Sequence, residues 1–201
     1  MPAGFDQVTI CNLALSHVGS KSTIESIDEL NNPAKQCKLW YAPARIATLE
    51  VFNWGFARRS GTLAPHSVAA PTNRWAYRYA WPVDCLAPRF LENPAGPNAD
   101  AVPMETEEAD DNSSSVVTNL ENAVLLYTRD VQNPTRYSMH FTLMMALRLA
   151  AFINSPLTGK VAIYNRVINS FNEMATQAPY VDTTAVTPRP ERDASWTRAR
   201  S

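Results

Sequence analysis

Helical periodicity occupies both ends of this chain and is absent between residues 60 and 131. Val8, Cys11, Leu15 and Val18 recur at helical spacing and Gly19 is a natural stop, so a first helix is predicted from Phe5 to Val18. A polar loop follows over 19–32, with Ile24 and Ile27 turned inward. A second helix opens at Asn32-Pro33, where Asn caps free amides and Pro has no N–H to leave unpaired. It runs to Asn53, and Pro43 is expected to kink it or break it near Tyr41. Helix returns after Asn133-Pro134. Tyr137, Phe141, Met144, Met145, Leu147 and Ala151 make that segment apolar nearly all round, as in a helix central to its bundle or buried in an assembly. Ser155-Pro156 is expected to stop it and open a last helix, whose face is Leu157, Val161, Tyr164, Ile168, Phe171 and Ala175. So short a connection predicts an antiparallel hairpin.

The middle section is punctuated by Pro, Asn and Ser. Trp75 to Tyr79 alternates aromatic and polar residues, as a half-buried strand does, and Pro82 to Leu91 reads as another strand. Ser115–Asn119 and Ala123–Arg129 read as two strands joined by a tight turn at Leu120-Glu121-Asn122. The expected class is therefore mainly α. Residues 1–59 and 133–178 would form an antiparallel bundle of about four helices. Residues 60–132 would be an inserted small antiparallel β lobe, and 179–201 an extended C-terminal tail marked by Pro179, Pro188 and Pro190.

Composition narrows the function. Hydrophobic residues at 45% are enough for a core, so wholesale disorder is excluded. A formal charge of −1 argues against a general nucleic-acid glue. Lysine occurs only at Lys21, Lys35, Lys38 and Lys160, and every other basic residue is Arg. Interfaces favour Arg, and a GC-rich genome produces the same bias. Cys11, Cys37 and Cys85 show no CxxC spacing and read as reduced core residues. There is no basic-then-apolar start of a signal peptide. The longest apolar stretch, Phe141 to Ile153, contains Arg148 and is too short to span a bilayer. A soluble protein made in the cytoplasm, without membrane contact, is expected.

No motif for chemistry survives inspection. Val18-Gly19-Ser20-Lys21-Ser22-Thr23 has the flavour of a phosphate loop, but Ser20 separates Gly19 from Lys21 and Ala14 stands where a glycine is needed. His17, His66 and His140 lack partners at metal-pair spacing, and no nucleophile elbow is present. No catalytic residue, metal or cofactor is expected. Charge is more telling. Between Arg89 and Arg129 there is no Lys or Arg, while Glu105, Glu107, Glu108, Asp110 and Asp111 cluster in one segment. That segment is either a solvated loop or, repeated around a ring, an acidic lining past which DNA phosphates slide. The tail has the opposite sign. Arg189, Arg192, Arg198 and Arg200 surround Trp196, which suits an anchor for a partner's groove or a side chain folded back on its own bundle.

Two stretches carry a family likeness. One is Ile10-Cys11-Asn12-Leu13-Ala14-Leu15, with Gly19, running through Trp40-Tyr41-Ala42-Pro43-Ala44-Arg45 to Phe52-Asn53-Trp54-Gly55-Phe56-Ala57. The other runs from Leu126-Tyr127-Thr128-Arg129-Asp130-Val131 through Ala146-Leu147-Arg148-Leu149-Ala150-Ala151 to Ser155-Pro156-Leu157-Thr158-Gly159. Trp81-Pro82-Val83-Asp84-Cys85-Leu86 lies between them. In order and spacing these resemble the tail tubular protein A-like family of bacteriophage head-to-tail adaptors. The resemblance implies a structural virion protein at the head–tail junction that forms a twelve-subunit ring. Its implied partners are the portal protein, a downstream tail or nozzle protein, and genomic DNA passing without sequence-specific binding. Arg189, Arg192, Trp196, Arg198 and Arg200 would reach the portal. The alternatives are another neck, head-completion or tail structural protein, with an enzyme the least favoured. The acidic, proline-rich 93–114 segment departs from the family's usual length.

Overall fold

The computed structural model describes residues 5–71, 74–96 and 99–183. It holds four α-helices and two three-stranded antiparallel sheets. Helix makes up 44% and strand 20%, so the chain is mixed α/β and the mainly-α expectation is corrected.

The first helix, α1 (Gln7–His17), starts at an Asp6 cap whose side chain accepts from Thr9 N–H. It ends in a Schellman turn. Ser20 N–H reaches Leu15 carbonyl and Gly19 N–H reaches Ser16 carbonyl, which requires Gly19 at φ +74°. The second helix, α2 (Asn32–Val51), is capped by Asn31, one residue earlier than expected. It passes unbroken through Pro43. Ser138 caps α3 (Met139–Leu157), while the Asn133-Pro134 signal opens only a short 3₁₀ turn. Pro156 does not stop α3. The break comes at Thr158-Gly159-Lys160, before α4 (Val161–Thr183). The expected extended path does not begin at residue 179, because α4 carries through Pro179 to Thr183, and 184–201 lie outside the described residues.

The apolar α3 lies against α1, α2 and α4. Phe141, Met144, Met145, Leu149 and Ile153 are fully buried there, joined by Ile10, Leu15, Leu49 and Trp54. Most of the apolar surface of this helix is thus consumed inside the bundle, with Met139 left exposed.

One sheet has the order β1 (Arg58–Thr62), β6 (Val124–Arg129), β3 (Cys85–Leu91). The other has the order β2 (Tyr77–Ala80), β5 (Ser114–Thr118), β4 (Met104–Glu108). Leu63, Leu91, Leu125 and Tyr127 meet Tyr79 and Val116 in a second core, making a small sandwich. The expected β5–β6 hairpin does not form, since each strand is central to a different sheet. Val116 and Val117 are consecutive and both fully buried, so β5 needs cover on two faces, which a hairpin partner alone does not give. The connection crosses between sheets instead. Tyr79 Oη holds it by donating to Leu120 carbonyl at 2.9 Å.

Sheet β1-β6-β3 is the one joined to the helices. Leu86 of β3 packs against the bundle core. Arg89, also on β3, donates from Nη2 to the carbonyls of Leu49, Glu50 and Phe52 at 3.0–3.2 Å and from Nε to Thr128 Oγ1 at 2.8 Å. A guanidinium therefore satisfies the orphan carbonyls at the end of α2.

Candidate functional site

The acidic segment is largely ordered by strand pairing. Glu105 and Glu107 lie on one face of β4, two residues apart. In register, Glu105 stands opposite Val117, which stands opposite Arg78. Arg78 pairs diagonally with Glu107 and Arg74 pairs with Glu105. Two carboxylates of the expected belt are thereby neutralised by cations that precede it in sequence. Glu108, Asp110 and Asp111 remain exposed, the last two in the β4–β5 turn, where Asn112 adopts φ 62°. The alternation in Met104-Glu105-Thr106-Glu107 was the available signal for β4, hidden by its acidity.

That turn brings His66, Ser113 and Asp111 together. Val68 N–H donates to His66 Nδ1 at 2.9 Å, so the ring proton belongs on Nε2, which donates to Ser113 Oγ at 2.8 Å. Ser113 Oγ in turn donates to Asp111 Oδ1 at 2.5 Å. Bonds from the Ser113 hydroxyl and N–H hold the Asp111 carboxyl below its usual range. A serine nucleophile needs histidine as acceptor of its proton and the carboxylate behind the histidine. Here the carboxylate binds the serine and the histidine is already a donor, so the set clamps a turn and is not arranged to abstract a proton.

Arg189, Arg192, Trp196, Arg198 and Arg200 lie outside the described residues. Among the described residues, no three His, Cys, Asp or Glu side chains are placed to hold a metal ion. Nor is any helix long and apolar enough to cross a membrane.

Two charged junctions escaped the sequence reading. Asp84, in the turn before β3, accepts from Tyr127 Oη at 2.8 Å and from Arg59 Nη1 at 2.7 Å. Partial burial opposes its ionisation, but these bonds prevail and hold the carboxyl below its usual range. Burial, with Asp84 beside it, pushes the Tyr127 phenol up to about 12. The second junction joins α2 to the segment after β6. Arg45 Nη2 donates to Asp130 Oδ2 at 2.9 Å, with only 10% of the Arg45 side chain exposed. Tyr137 Oη donates to Val131 carbonyl beside it, and burial pushes that phenol up to about 12. An Arg on the apolar face of α2 was the signal, because a cation there needs a buried partner.

Cys11 and Cys37 face each other from α1 and α2 as buried free thiols, and Cys85 is half-buried. Hydrogen bonding to Cys37 and burial push the Cys11 thiol upward, away from the reactive thiolate. His140 bonds Met174 carbonyl at 2.9 Å, tying α3 to α4. His17, at the end of α1, is held below the usual histidine range by burial and by Arg166, so the cation suited to a helix end is disfavoured there.

No protein-family model and no curated protein matches the chain.

Proposed function

We infer that the chain is a structural virion protein, a ring-forming adaptor between a portal and the tail. The supporting observation is where the ordered motifs fall. Asn12, Trp54, Asp84 and Arg45, which carry the resemblance, each tie one element to another. Residues that make such ties serve a scaffold. A ring also needs apolar surface between subunits, and the bundle offers Leu30, Leu39, Met139, Val161 and Tyr164 at its exterior. Acidic Glu108, Asp110 and Asp111 at one sandwich end suit a wall that DNA passes without adhering.

The test is co-expression with a portal protein, comparing the full chain with one ending at Thr183, which keeps α4 whole. Full-length protein is expected to form a ring that co-purifies with the portal, and the shortened chain to lose the portal. Equal binding by both would remove the Arg/Trp tail from the reading. A monomer at all concentrations that ignores the portal would remove the adaptor itself. Other neck or head-completion roles separate by ring position and copy number in images of the assembled particle.

A further inference from the structure

We propose that the outer edge of β4 pairs with the outer edge of β1 in a second copy of the chain. The proposal rests on the ring reading above and names the surfaces through which subunits join. Each sheet has two edges, and one edge of each is closed. Ala80 N–H donates to Ala64 carbonyl and His66 N–H to Arg78 carbonyl, which covers β2. Strand β3 carries register shifts and Pro88, features that blunt an edge. Strands β1 and β4 pair with their neighbours without a shift and contain neither proline nor lysine. Among the described residues no strand covers their outer sides.

Hydrogen-bond parity fixes which backbone groups point outward. Leu63 N–H donates to Ala123 carbonyl, and Ala109 N–H to Ser113 carbonyl. Bonded pairs alternate along an antiparallel ladder, so Arg59 and Gly61 bond β6, while Glu105 and Glu107 bond β5. The N–H and carbonyl groups of Arg58, Ser60 and Thr62 therefore face away from β6, and those of Met104, Thr106 and Glu108 face away from β5. Ser60, Thr62, Thr106 and Glu108 are exposed, so both edges are open on the face that pairing would join. The two sets match in one antiparallel register, with Arg58 opposite Glu108, Ser60 opposite Thr106 and Thr62 opposite Met104. Charge selects this partner. Strand β1 carries Arg58 and Arg59 and no acid, and β4 carries three glutamates and no base. Arg74 and Arg78 hold Glu105 and Glu107, whereas Glu108 has no ion pair among the described residues. Two β4 strands would set Glu105 against Glu107 twice, and two β1 strands would bring no opposite charge. An edge that fits only an unlike edge makes a head-to-tail contact, the kind that builds rings. Glu108 then leaves the DNA wall, where Asp110 and Asp111 remain exposed.

The experiment traps the contact with two full-length variants, Ser60→Cys and Thr106→Cys, both exposed positions where folding should survive. Directly opposed residues of a bonded pair have Cα atoms about 5.5 Å apart, a separation that a disulfide spans. Each variant alone, their equimolar mixture and the parent are treated with diamide, and linked peptides are identified by mass spectrometry. A link between positions 60 and 106 is expected in the mixture and in neither variant alone. Adding Glu108→Arg to the Thr106→Cys chain should slow that link about fivefold or more, and an unchanged rate would overturn the register. Self-linking of the Ser60→Cys chain would mean that β1 pairs with β1, and self-linking of the Thr106→Cys chain that β4 pairs with β4. Either result overturns the proposal. Sedimentation of the parent separates this failure from that of the ring. A parent that assembles without any 60–106 link in the mixture overturns edge pairing and leaves a ring joined through the bundle. A parent that stays monomeric and an unlinked mixture overturn both.

Discussion

Asn12 closes the loop between α1 and α2 with one side chain. Its Oδ1 accepts from Ile24 N–H and its Nδ2 donates to Ile24 carbonyl, both at 2.9 Å, and Ile24 is buried as a result. Asn12→Ala removes both bonds and leaves a backbone donor and acceptor unpaired, so urea denaturation should show a loss of about 2–4 kcal/mol. Asn12→Asp keeps only the acceptor and should fall between. Trp54 works similarly, its Nε1 donating to Thr48 carbonyl at 3.0 Å while its ring meets Phe141 edge-on. Asp84 adds a pH dependence. Its carboxyl sits below its usual value in the folded chain, so the stability it contributes is complete above the unfolded value and lost as pH falls through the folded one. Thermal melts should show Asp84→Asn less stable than the parent near neutral pH, with the gap closing below about pH 4. A gap that persists in acid would mean the Asp84 charge is not what matters.

Among elements, the strand pair Arg78–Glu107 and the pair Arg74–Glu105 make a controlled comparison on one sheet face. The Arg78 side chain is 8% exposed and the Arg74 side chain 64%. Removing one partner of a buried pair strands a charge, whereas an exposed pair contributes little. Glu107→Gln should therefore cost about 2–4 kcal/mol by chemical denaturation and Glu105→Gln less than about 1 kcal/mol. Equal costs would contradict the assigned burial. The helices were legible because their signals are local: Gly19 after α1, Pro33 inside the first turn of α2, and the apolar run of α3. The prolines misled at the other end. Pro156 and Pro179 both lie within helices, where a final turn or tertiary contacts outweigh the missing N–H. The sheets were legible as strands and not as partners. Val124 to Tyr127 shows an apolar run that marks a central strand, but nothing local says that Arg58–Thr62 and Cys85–Leu91 are what flank it.

For the whole molecule, the helical core joins the two ends of the chain, and the sandwich closes the two ends of the middle section on each other. Helix α1 packs on α3, and β1 pairs with β6 from Arg58 opposite Thr128 to Thr62 opposite Val124. A pocket on α2 shares this property, with Lys38, Tyr41 and Arg45 on one side and Gln132 on the other. A fragment of residues 1–132 lacks α3 entirely. It should show little helix by circular dichroism and bind a hydrophobic dye, and adding residues 133–201 should restore structure. A fragment folded by itself would mean that α1 and α2 find a core without α3.

That interleaving also sets a clock on synthesis. At about 5–20 residues added per second, the leading helices emerge from the ribosome many seconds before the segment that covers them. The nascent chain must carry Leu15, Leu49 and Trp54 uncovered until α3 follows, exposed to chaperones and to sister chains on the same message. Release of a nearly complete chain, and not any intermediate length, is then the event that lets the helical core close.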